Sequence, residues 1–324
     1  VGVGEHENLA ASDLNALLPH TRQVVFVEPG EFADIRAESV RYVDAAGRDL
    51  VKTPETLPYD PVAAVKGPYK HFMQKEIFEQ PGAVLDVMRG RYFPDGHVDM
   101  SDGVPFDAAW AKQITRVVLV GMGTSMHSAM IGRHYIERFA RIPAEVDNAA
   151  EFRYRRPVLD SHTLVISIAQ SGETVDTLAA MDEARRAGCP QITICNTPGA
   201  QTTRVADGTL LMRVGPEIAV ASTKTMLASM LLLHGLSLYL GRLRGTLDPA
   251  VEAQQVRAAL QLPRAVGEAL EAAGHIEAIA AKYAHVEDFL FLGRGLGFPI
   301  ALEGALKLKE LSYIHAEGYA AGEM

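Results

Sequence analysis

Glu303, Lys307 and Glu310 recur at i, i+4 and i+7, which places them on one face of a helix. A carboxylate held beside an ammonium can carry a proton between adjacent carbons of a sugar. The plainer alternative is a solvated salt-bridge ladder. Position favours the chemistry, because the helix expected over Phe298–Ser312 directly follows the turn Gly293-Arg294-Gly295. Three other segments are rich in Gly, Ser and Thr: Gly121-Met122-Gly123-Thr124-Ser125, Gln170-Ser171-Gly172-Glu173-Thr174 and Val220-Ala221-Ser222-Thr223-Lys224. Each lies between a strand-like run and a helix, where unpaired helix N–H groups face outward and glycine lets the backbone approach an anion. Thr124, Ser125, Thr174 and Ser222 could simply cap helices. Three such loops at the carboxyl ends of one sheet point instead to a phosphate ester.

A dinucleotide fold is the rival explanation of Gly121-x-Gly123, with Asp147 at the spacing of a ribose-binding carboxylate. Met126 occupies the place of that motif's third glycine, and the other two loops are left unexplained.

The elements that must position these residues change character along the chain. Gln23–Val27 and Phe32–Ile35 flank the turn Glu28-Pro29-Gly30-Glu31 and suggest a hairpin; Ser39–Val43 and Asp49–Val51 suggest a second. Thr53–Pro68 is proline-rich and aperiodic, so a linker and a domain boundary near residue 60 are expected. Two helical segments are expected on either side of Pro81-Gly82. Strands then follow at Arg116–Val120, Leu164–Ile168, Gln191–Cys195 and Gly208–Val214, with helices at Ser125–Ala140, Thr174–Ala187, Thr223–Leu240 and through Arg257–Ala284. Short apolar strands alternating with amphipathic helices predict an α/β fold with a doubly wound, mostly parallel sheet. The strand–Gly-x-Gly–helix pattern occurs twice, at Val117–Gly123 and Phe289–Gly295. The second copy ends little beyond its first strand and helix, and half a sheet cannot bury both faces, so the chain is read as a fragment.

Composition limits the function. Hydrophobic residues make up 48% and charged residues 22%, as in ordinary globular proteins, and a net charge of −9 argues against a nucleic-acid partner. The two cysteines, Cys189 and Cys195, flank an apolar run and form no CxxC pair, which makes a reducing cytoplasm the expected compartment. No metal-ligand spacing is seen, and neither a metal nor another cofactor is expected. Met226–Leu240 is too short and too interrupted for a bilayer and reads as a buried core helix, so no membrane association is expected.

Taken together, Ser171-Gly172-Glu173-Thr174, Glu217–Lys224 and Ala301–Glu310 resemble the sugar-isomerase (SIS) motifs of the glutamine–fructose-6-phosphate aminotransferase family. His71–Ile77, Glu151–Arg155, Ile194–Asn196 and Tyr313–Glu317 extend the resemblance over essentially the whole chain. The resemblance implies the β-rich end of an N-terminal-nucleophile glutaminase domain at residues 1–50, a linker at 51–70, a first SIS domain at 71–247, and connecting helices with a partial second SIS domain at 248–324. It implies fructose 6-phosphate or glucosamine 6-phosphate as ligand, and a homodimer for the complete protein. Ser125, Gln170, Ser171 and Thr174 would hold the phosphate, Thr124 would lie near the sugar hydroxyls, and Val220 and Ser222 would line the pocket. Glu310 would be the acid/base, assisted by Lys307. The family's catalytic cysteine would lie upstream, and its ring-opening histidine and Schiff-base lysine downstream. Met122 and Ala169 stand where the family usually has cysteine and serine, which suggests a divergent member or a non-enzymatic phosphosugar sensor as the alternative.

Overall fold

A computed structural model describes residues 1–12, 14–57 and 65–324, apart from the side chain of Asn15. The chain forms two compact units, Val1–Phe72 with Gly215–Ile218, and Met73–Val214 with Ala219–Met324.

The first unit is built from short antiparallel strands. β1 (Gly2–Val3) pairs with β2 (Asn8–Leu9) and β3 (Gln23–Val24). β4 (Glu31–Arg36), β5 (Ser39–Asp44) and β6 (Asp49–Leu50) form a second sheet, and β7 (Glu55–Thr56) returns to pair with β3. The hairpin at Ser39–Val51 is present, with Tyr42 opposite Leu50. The one expected between Gln23–Val27 and Phe32–Ile35 is not. The Glu28–Glu31 turn closes as expected, with Glu31 N–H donating to Glu28 O, but it carries the chain from one sheet to the other. β4 pairs with β5 across Ala37-Glu38. The expected linker is also shorter at its start, since Glu55–Thr56 belongs to a sheet. The boundary expected near residue 60 falls on 58–64, outside the described residues. Leu17, Leu18, Val24 and Leu57 form this unit's small core.

α1 (Phe72–Met88), in the second unit from Met73 onward, is a single helix that runs through Pro81 where two segments were expected. Proline lacks the N–H that would bond the Ile77 carbonyl. Gln80 supplies the missing donor through its side-chain amide, 3.0 Å from Ile77 O, and the helix continues. After α2 (Ala108–Gln113) come β8 (Arg116–Gly121), α3 (Thr124–Tyr135) with a π-turn at Ile136–Ala140, β9 (Ala144–Asn148) and α4 (Ala149–Phe152). They are followed by β10 (Thr163–Ala169), α5 (Val175–Arg186), β11 (Gln191–Cys195), α6 (Gln201–Val205), β12 (Gly208–Leu211) and α7 (Lys224–Arg244).

The five strands form one parallel sheet in the order β12-β11-β10-β8-β9. The two-residue period of a strand sends Val117 and Leu119 to a core with α3 and α7, and Val118 and Val120 to one with α4 and α5. Both faces are therefore covered, and β10 is buried at every residue. α7 is the one helix among the described residues long and apolar enough to cross a membrane, and most of it is buried inside this unit.

α8 (Pro249–Ala259), α9 (Leu262–Leu270) and α10 (Ala273–Tyr283) lead to β13 (Asp288–Gly293), α11 (Gly297–Ser312) and β14 (His315–Ala320). β13 and β14 pair in parallel with α11 between them in sequence, forming a βαβ unit. The sequence repeat is thus a structural one.

Candidate functional site

The two Gly-x-Gly turns have the same construction. At Gly121 a Cβ would lie 3.0 Å from the Ser125 carbonyl carbon; at Gly293 it would lie 2.0 Å from the Gly297 oxygen. In each turn the second glycine, Gly123 or Gly295, takes a left-handed φ, 52° and 56°. Helix and strand can only meet this closely without a side chain. The result aims the first turn of α3 and of α11 across the end of its strand.

α3 and α11 pack against each other and bring one polar cluster together. Thr124 donates its hydroxyl to Glu303 Oε1 at 2.7 Å and accepts from the Lys307 ammonium at 3.0 Å. Lys307 also lies 3.0 Å from Glu303 Oε1 and 3.1 Å from Glu310 Oε2. His127 Nδ1 lies 2.6 Å from Glu303 Oε2. Glu303 is only 6% exposed. Burial pulls its carboxyl upward, but the hydrogen bonds from His127 and Thr124 and the Lys307 charge outweigh this and hold it below the ordinary carboxylate value.

Lys307, Glu310 and Thr124 are therefore joined directly, and Ser125 follows Thr124 in the same helical turn. The structure adds one member to the cluster expected from the sequence, His127. Glu303 was visible through its spacing. His127, three residues after Thr124 on α3, shares that residue's helix face, and this spacing is its signal in the sequence.

The Gln170–Thr174 loop follows β10, the neighbour of β8. The chain leaves β8 for β9 on one side and continues from β10 to β11 on the other. These two loops consequently flank the point where strand order reverses, where open α/β sheets bind ligands. Thr174 is the N-cap residue of α5 but makes no side-chain capping bond. Ser171 Oγ accepts from Glu173 N at 3.3 Å. Glu173 is a brace: its carboxylate accepts from the Gln201 N–H at 3.0 Å and from the Gln201 amide at 2.6 Å. Gly172, with φ 72°, is pressed so close to Ala200, Thr202 and Cys195 that no side chain fits there. The Gln170 carbonyl accepts from Asn196 N–H at 3.1 Å, which ties this loop to the one after β11.

The third loop, Val220–Lys224, enters α7 from the edge strand β12. Val220 is 90% exposed, and Ser222 hydrogen-bonds to the Thr225 hydroxyl. Neither residue touches the Thr124–Glu310 cluster by a hydrogen bond.

Asp147, at the end of β9, accepts from Arg155 Nε at 2.6 Å. Cys189 and Cys195 are free and buried, and burial pushes both thiols up to about 11. Met122 packs on the core beside Val118 and Val120, and Ala169 ends β10 in register with Cys195. No group of three or more potential metal ligands occurs among the described residues.

Residues 112–238 match the SIS domain family. The chain is 42% identical over its full length to a glutamine–fructose-6-phosphate aminotransferase (isomerizing) of Caldanaerobacter subterraneus, covering 53% of that protein. It is 43% identical to the enzyme of that name from Symbiobacterium thermophilum, again covering 53%. The chain spans about half the length of the curated relatives it matches. Among solved structures, the C-terminal domain of glucosamine-fructose-6-phosphate aminotransferase from Francisella tularensis superposes with a TM-score of 0.76 at 36% identity, over 80% of this chain and 72% of that one. A Clostridium difficile protein described as a putative phosphosugar isomerase shares the fold at 21% identity and a TM-score of 0.65, over 78% of this chain and 69% of that one. On this similarity and the repeated Gly-x-Gly architecture, the chain belongs to the glutamine–fructose-6-phosphate aminotransferase family, with a SIS domain at its centre.

Proposed function

We propose that this chain is the phosphosugar-binding isomerase portion of an enzyme converting fructose 6-phosphate and glutamine into glucosamine 6-phosphate and glutamate. The observation that carries this reading is the 3.0 Å bond from Lys307 to Thr124, which joins the acid/base helix to the first anion loop. Ser125, Gln170, Ser171 and Thr174 hold the phosphate at the switch point, and Thr124 faces the sugar hydroxyls. Val220 and Ser222 line the far side of the sugar. Glu310 takes the proton from C1 of the open-chain sugar imine and returns it at C2, while the Lys307 ammonium favours negative charge developing on the substrate.

Residues 1–50 are assigned to the end of a glutaminase domain, which their antiparallel strands suit. Residues 71–247 are assigned to a first SIS domain and 248–324 to connecting helices and part of a second. The whole protein is proposed to be a cytoplasmic homodimer with no membrane or nucleic-acid partner, in keeping with its two free thiols and acidic charge. Met122 and Ala169 bear on which phosphosugar is preferred.

Titration calorimetry of the chain with fructose 6-phosphate and with fructose tests the reading. Fructose 6-phosphate alone should bind, and Thr174→Val should weaken it about tenfold, the expected effect of one lost hydrogen bond to a charged group. Equal binding of both sugars, or of neither, would overturn it.

A further inference from the structure

A second cluster of ionisable groups lies where α1 meets the loop into α7. Lys224, the first residue of α7, is 3% exposed, and its ammonium sits 2.8 Å from Glu79 Oε2. Lys75 holds the other oxygen of that carboxylate at 3.2 Å. Glu76, 1% exposed, accepts the Ala219 N–H at 3.1 Å. Glu76 and Glu79 are three residues apart and so share a face of α1. From that face they grip residues 219 and 224, the two ends of Val220–Thr223.

Packing alone does not call for this arrangement. Taking charges out of water is costly, and apolar side chains of similar volume would fill the space at least as well. The segment between the two grips has no strand or helix of its own to hold its shape. Yet its residues are sharply sorted, with Ala221 fully buried beside the exposed Val220. A segment with no ladder of its own must find partners for its buried backbone groups elsewhere, and the Glu76 carboxylate supplies one for the Ala219 N–H.

We propose that Glu76 and Glu79 are positioning residues that hold the 219–224 loop in the shape that receives the sugar. This rests on the reading above, in which Val220 and Ser222 face the sugar. Neither carboxylate touches the ligand; each acts through the loop.

The test uses the full chain, with amide hydrogen exchange at residues 219–223 and calorimetric affinity for fructose 6-phosphate as readouts. Glu76→Leu leaves the Ala219 N–H without its acceptor. It should speed exchange in the loop and weaken binding, each by about tenfold or more. Glu76→Gln keeps an oxygen for the same N–H and should stay within about threefold of the parent in both, a rescue that general destabilisation would not show. If Glu76→Leu does not fold, Glu79→Gln, at the more exposed partner of Lys224, should shift both readouts in the same direction. Unchanged exchange in a folded Glu76→Leu or Glu79→Gln variant overturns the proposal, and so does faster exchange with unchanged affinity. If the parent chain binds no sugar phosphate, the phosphosugar reading fails and exchange alone decides whether the carboxylates shape the loop.

Discussion

Glu303 keeps a buried charge because His127, Thr124 and Lys307 all meet it, and so it fixes where Lys307 can point. Its place in the cluster follows from the i, i+4, i+7 spacing. Its partner His127 comes from a different helix, and no pattern within α11 could announce it. His234 is a second buried ionisable group, set among Tyr92, Tyr135 and Phe139, with Nδ1 3.0 Å from the Tyr92 hydroxyl. Burial pushes its pKa down to about 4. A histidine depressed on folding takes up its proton first in the unfolded chain, so its contribution is complete above about 6.5, the ordinary value, and is lost as pH falls towards 4. At about 1.4 kcal/mol per unit, discounted because the ring borders a cavity, the loss is on the order of 2 kcal/mol. Glu303 follows the same sign further down: its carboxyl is depressed, so its contribution holds above the ordinary value and disappears as pH falls through the folded one. Urea unfolding between about pH 7 and 4 should show the His234 loss, and His234→Gln should flatten that slope. An unchanged slope in the variant would remove His234 from the account.

The elements most legible in the sequence were those buried on both sides. β8, β10 and β11 are nearly continuous apolar runs, because helices cover both faces of the sheet. β9 and β14 are less legible because Ala144–Asn148 and His315–Ala320 mix charged, polar and small residues and carry no apolar run. The helix through Pro81 was misread because its repair is a side-chain bond from Gln80, which proline statistics do not contain. The Gly-x-Gly repeat was legible, but not the reason for each glycine. Gly293 has no room for a Cβ beside the Gly297 backbone, whereas Gly295 has open space and only a positive φ. Gly293→Ala forces the turn between β13 and α11 apart and should cost about 3 kcal/mol or more. Gly295→Ala should cost only the left-handed strain, about 1 kcal/mol. Denaturant unfolding of the two variants decides the point, and equal losses would mean that the close approach of strand and helix is not what the first glycine serves.

At the scale of the whole chain, two cores of very different size share one polypeptide. Among the described residues, the first unit's core cluster is Leu17, Leu18, Val24 and Leu57, with Val25 and Tyr42 buried outside it. The second has an extended core in which Leu232, Leu233, Leu236 and Leu238 of α7 are completely buried against the sheet. Separate cores favour separate cooperative transitions, since each unit can lose its packing while the other keeps its own. Calorimetry should therefore show more than one transition, with the larger enthalpy belonging to the second unit, because enthalpy scales with the number of residues that unfold. Leu236→Ala makes the assignment testable. Truncating a fully buried leucine costs about 2–5 kcal/mol, which should lower the larger transition by several degrees while the smaller one stays in place. A single transition that moves as a whole would instead mean that the two units unfold as one body.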